Sequence, residues 1–171
     1  SFNLAVAQLR ANRPHDALAT AEHAQGELAR RGGAPLPRLQ LVEATALYRS
    51  GETGQADALA AAVETSGDAE SAAGASFLRG LMADERGNEG GLQDALTRLS
   101  SAGGAVREAD RLELQARLAL RQSRSDAART AALHAAEIRQ TGLDYRGMAR
   151  ALAVAALAAG LAGAAALAAG F

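Results

Sequence analysis

The chain of 171 residues has no cysteine, no tryptophan and no lysine, and only 3 prolines. Without cysteine there is no disulfide, no thiolate nucleophile and no thiolate metal site; its absence suits cytoplasm and periplasm alike. Without lysine there is no Walker A phosphate loop, no Schiff base and no lysine general base. Aromatic residues make up 3%, so any core has to be assembled from alanine and leucine. An excess of charge of one sign is missing as well: 18 arginines stand against 19 acidic residues, for a net charge of −1. That balance offers no field to nucleic acid or to an anionic membrane. No alternating run of Val, Ile, Thr or Tyr occurs, which leaves strands without material.

What remains is helix-forming. Hydrophobic residues reach 49%, mostly Ala, which has the highest helix propensity, and Leu, which is close behind. The expected class is all-α. The all-arginine basic complement and the abundance of Ala fit a GC-rich bacterial coding sequence. Ser1 is not an initiator Met, and the chain starts and stops inside helical patterns, so it is expected to be a fragment of a longer protein.

Helix breakers form two interleaved series. One runs Asn12-Arg13-Pro14, Gly51-Glu52-Thr53-Gly54, Gly87-Asn88, Ser123-Arg124-Ser125 and Gly160-Leu161-Ala162-Gly163. From positions 12, 51, 87, 123 and 160 the intervals are 39, 36, 36 and 37 residues. The other runs Gly32-Gly33, Gly67, Gly103-Gly104 and Gly142. A period of this size means one helical pair per repeat, which cannot bury its own apolar face and must stack on its neighbours. Helices are predicted at 2–11, 14–30, 38–50, 54–66, 69–86, 89–101, 105–122, 126–141, 145–159 and 162–171. Pro14 suits a first helical turn. Asp68, Asn88, Ser125 and Asp144 suit N-caps, and Gly32, Gly67, Gly103 and Gly142 suit left-handed helix ends.

Aligned on the first series, the pairs share small and apolar positions. Seven residues before the turn stand Ala5, Ala44, Gly80, Ala116 and Ala153. Five after it stand Ala17, Ala56, Leu92, Ala128 and Ala165; nine after it, Ala21, Ala60, Leu96, Ala132 and Ala169; twelve after it, Ala24, Val63, Leu99 and Ala135. This pattern resembles the tetratricopeptide repeat (TPR), with a small residue midway along the first helix, a turn glycine, and small residues in the second helix. Leu47-Tyr48-Arg49-Ser50-Gly51-Glu52 and Glu85-Arg86-Gly87-Asn88 read like that family's turn. The period is longer than the family's usual 34, and its early Trp and closing Pro are missing. The resemblance implies an α-solenoid of about five stacked antiparallel helix-turn-helix repeats in a right-handed superhelix. One domain would cover 1–171, with repeats at about 1–33, 34–67, 68–104, 105–142 and 143–171.

No motif for catalysis appears: there is no G-x-S-x-G, no H-E-x-x-H and no glycine-rich loop after a strand. His23 with Glu27 and His134 with Glu137 could each share a helix face, but neither pair has a third ligand, and His15 stands alone. Asp84-Glu85 reads as part of a solvated helix face. We expect no enzyme activity, no cofactor and no metal. The resemblance implies ligand contacts on the first helix of each pair, which lines the concave surface of such stacks. The expected partner-binding set is Arg10, Arg38, Thr45, Tyr48, Arg49, Arg117, Arg121 and Arg150, whose guanidinium groups would fork onto partner carboxylates. Arg in a last helical turn also complements the helix dipole. The family's carboxylate clamp for chaperone tails uses Lys, which is absent.

Ala151 to Phe171 carries no charged or polar side chain. It is expected to form the fifth helical pair, turning at Gly160–Gly163, and not to span a membrane, because Ala and Gly dominate it. Such an uncovered end would be capped by further repeats or by another copy of the chain. The functional expectation is a scaffold holding a protein or peptide on its concave face. The alternatives are an assembly module that homo-oligomerises through residues 151–171, or the regulatory domain of a larger protein.

Overall fold

The computed structural model describes residues 1–169, among which nine helices and no strand occur. They are α1 (Phe2–Arg10), α2 (Pro14–Arg30), α3 (Pro37–Arg49), α4 (Thr53–Glu64), α5 (Ala69–Glu85), α6 (Glu89–Leu99), α7 (Ala105–Arg121), α8 (Ser125–Thr141) and α9 (Tyr145–Ala169). Each begins within one residue of its expected start. Pro14 and Pro37 open α2 and α3, where a missing N–H leaves nothing unsatisfied. The Asn88 side chain accepts the Gly91 N–H at 3.0 Å, and Asp144 accepts the Gly147 N–H at 2.9 Å. Both are N-cap bonds of the kind their side chains predict. Ser125 is not a cap: it is the first residue of α8, and Arg124 holds the N-cap position.

The turn inside each pair is the same structure repeated. Asn12, Gly51, Gly87 and Ser123 all adopt left-handed backbone, with φ of 59°, 90°, 71° and 57°. In each case the next residue's N–H returns to a carbonyl five residues back: Arg13 to Gln8, Glu52 to Leu47, Asn88 to Ala83 and Arg124 to Ala119, at 2.8–2.9 Å. This bond satisfies the carbonyls that a helix C-terminus leaves open. Between pairs, Gly32 and Gly67 are left-handed as expected, but Gly104 takes the place of Gly103, and Leu143, at φ 57°, that of Gly142. At the last of these junctions Gly142 is the C-cap, so the left-handed step falls one residue later.

The chain divides into two compact units, Ser1–Met82 and Ala83–Phe171, with the division inside α5. In the first unit α2 packs on α1 and α3, α3 on α4, and α1 also touches α3. Its core joins Ala5, Leu9, Ala17, Ala21, Leu39 and Val42 in one cluster, and Ala44, Ala56, Ala60, Val63, Ala75 and Met82 in another. In the second unit α7 packs on α6 and α8, α8 on α9, and α7 also touches α9. First helices of successive pairs therefore meet within each unit. The small positions explain how: Ala5, Ala44, Gly80 and Ala116 are buried, as are Ala17, Ala56 and Ala128, and Ala21, Ala60 and Ala132. A residue no larger than a methyl lets two helix backbones approach closely. Leu92, Leu96, Val63, Leu99 and Ala135 are buried too, and Ala24 is half-buried.

The expected fifth pair is not formed. α9 runs 25 residues from Tyr145 to Ala169 and passes through Gly160 and Gly163 without a turn. Isolated glycine lowers helix stability by about 1 kcal/mol against alanine, which does not break a helix when no proline or capping side chain stands nearby. The register inferred from that turn fails with it: Ala153 and Ala165 are exposed, and the inward face is Ala151, Val154, Ala155 and Ala158. The side chains of residues 167–169, Ala169 of the aligned positions among them, and residues 170–171 lie outside the described residues. Over Tyr145–Ala166 α9 is long and apolar enough to cross a membrane, with a mean hydropathy of 1.7.

Candidate functional site

The first unit carries Arg10, Arg38, Thr45, Tyr48 and Arg49. Arg10 is exposed in the last turn of α1. The Arg38 guanidinium lies 5.2 Å from the centroid of the Phe2 ring. Thr45 donates its hydroxyl to the Leu41 carbonyl at 2.8 Å, within its own helix. Tyr48 packs, half-buried, against the cluster that contains Ala44 and Ala56. Arg49 reaches back to the preceding pair, its Nη1 donating to the Leu9 carbonyl at 2.7 Å.

In the second unit Arg121 repeats the Arg49 contact. Its Nη2 donates to the Asp84 carbonyl, and its Nε to Asp84 Oδ1 at 2.6 Å. Arg49 and Arg121 both stand two residues before a turn, at 51 and 123, and their acceptors Leu9 and Asp84 both stand three before the preceding turn, at 12 and 87. The same register therefore supplies the same device. An arginine from one pair adds a second donor to a C-terminal carbonyl of the first helix of the pair before, where the dipole is negative; that carbonyl already accepts the Asn12 or Gly87 N–H.

Arg117 and Arg150 belong to a larger arrangement centred on Glu113, which is 0% exposed. Arg150 grips both Glu113 oxygens, with Nη2 to Oε2 at 2.9 Å. Arg117 bridges Glu113 Oε1 at 3.2 Å and Asp84 Oδ2 at 2.8 Å. Arg139 Nη2 divides between Asp110 Oδ1 at 2.8 Å and Glu113 Oε2 at 3.0 Å, while its Nη1 reaches Asp144 Oδ2 at 2.8 Å. Arg107 pairs with the other Asp110 oxygen. Ion pairs thus tie α7, α8, α9 and the end of α5 together. Burial pushes the Asp110 carboxyl up, against the pull of Arg139 and Arg107. Burial also acts to raise Asp144, but the Gly147 N–H and Arg139 outweigh it and hold that carboxyl below its usual range. Gly147 has a further duty: a Cβ there would lie 2.5 Å from Arg139 Cδ, so any larger residue would have to push the Arg139 and Asp144 side chains out of their present positions.

The arginines chosen for a partner groove are therefore engaged inside the protein at 49, 117, 121 and 150. The acids Asp84 and Glu113, met by Arg117, Arg121 and Arg150, and the buried pair Arg139 and Asp110, were not in the expected set. A signal existed: Asp110 and Glu113 interrupt the apolar face Ala109, Leu112, Leu114, Ala116 of α7, and Arg139 lies on the face of α8 that carries Ala132, Ala135 and Ala136. A charge on an inward face has to be paired. In the first unit Arg79 pairs with Asp57 at 2.9 Å and Glu64 at 2.6 Å. Glu43, half-buried on α3, has its carboxyl pushed up to about 7 by burial and by Glu22. His15, His23 and His134 are exposed.

Two hollows open on the second unit. One, of about 350 Å³, lies among the start of α7, the end of α8 and the α8–α9 turn. The other, of about 580 Å³, is a groove along α8 and α9 with Leu133, Met148 and Leu152 in its walls and His134 and Glu137 at its edge. No family model, no curated protein and no solved structure matches the chain.

Proposed function

We propose that the chain is a TPR-like helical-repeat scaffold that binds a protein or peptide partner, its pairs stacking in a right-handed superhelix. The observation that carries this reading is the recurrent inter-pair contact: Arg49 on the Leu9 carbonyl and Arg121 on the Asp84 carbonyl, at equal registers. A contact that returns at the repeat interval is what nearest-neighbour stacking of equivalent units requires. In this reading α9 is the first helix of a further pair. Its contacts to α8 through Ala151, Val154, Ala155 and Ala158, and the Arg150–Glu113 pair, favour a packed helix over a membrane span.

On the concave face, the weight of partner recognition moves to Arg10 and Arg38, which are exposed. The test is cross-linked co-purification with wild type and with Arg10→Glu plus Arg38→Glu. The captured partner should be lost while the melting temperature stays unchanged; a partner retained by the double variant ends the concave-face reading.

A second reading, assembly through the C-terminal helix, is favoured by one observation. Leu157 and Leu161, one turn apart, are exposed on a helix that carries no polar side chain from Ala151 onward, and exposed apolar surface of this kind marks an interaction surface. Light scattering over a dilution series should show an oligomer that Leu157→Glu plus Leu161→Glu dissociates. A monomer at every concentration removes this reading.

A further inference from the structure

We draw no further inference here: the strongest candidate, the apolar groove along α8 and α9 walled by Leu133, Met148 and Leu152, carries nothing because nothing in the structure shows what covers it.

Discussion

Leu143 holds φ at 57° and keeps 70% of its surface in water. Left-handed backbone brings Cβ against the following carbonyl, at roughly 1–2 kcal/mol for an ordinary side chain, and glycine escapes this. Leu143→Gly should therefore raise the stability of the second unit by about 1 kcal/mol, seen as a higher denaturant midpoint at unchanged slope. A lower midpoint would mean that the leucine makes a contact worth more than the strain. Glu43 gives a pH dependence to the first unit. Its carboxyl titrates near 7 in the folded chain against a reference of 4.5. Below the reference value both states are protonated; between the two values the unfolded chain has lost its proton while the folded one keeps it. Stability should thus fall as pH rises from about 4.5 to about 7, by about 1 kcal/mol once solvent screening is allowed for. Glu43→Gln should flatten that slope in melts followed across pH, and a slope unchanged in the variant would assign it to another group.

Most helix limits were legible, because a residue type with a local duty marks them: Pro14 at a first position, Asn88 and Asp144 as caps, Gly51 and Gly87 in the turns. α9 was misread because only one of those signals was present. Gly160 and Gly163 fall at the repeat interval but have neither a cap nor a proline beside them, and nothing lies within 4 Å of where their Cβ atoms would be. Gly160→Ala in a continuous helix should add about 0.5–1 kcal/mol and increase the helical circular dichroism signal. A loss of stability would restore the turn. The inward face of α9 could not be read from composition, since Ala and Leu occur all round it; contact with α8 selects Ala151, Val154, Ala155 and Ala158.

Over the whole chain, the two units rest on different means. The first has alanine crossings and one arginine, Arg79, between two acids. The second adds a buried ionic cluster in which Glu113 meets Arg117, Arg139 and Arg150. Removing one partner from a buried cluster leaves like charges facing each other out of water. Glu113→Ala should therefore destabilise the second unit by about 3–5 kcal/mol, read by calorimetry, with Glu113→Gln in between. A loss below about 1 kcal/mol would place those arginines on other acceptors or in solvent.

The amino-acid string alone determined the helical class, the spacing of the pairs and the small residues at their crossings. Propensity, capping and turn preference act within a few residues, so they can be read without coordinates. Which arginines point at a partner and which bond to a neighbouring helix was decided only by tertiary structure. The difference between Arg10 and Arg121 lies in what residues some 37 positions away place within reach.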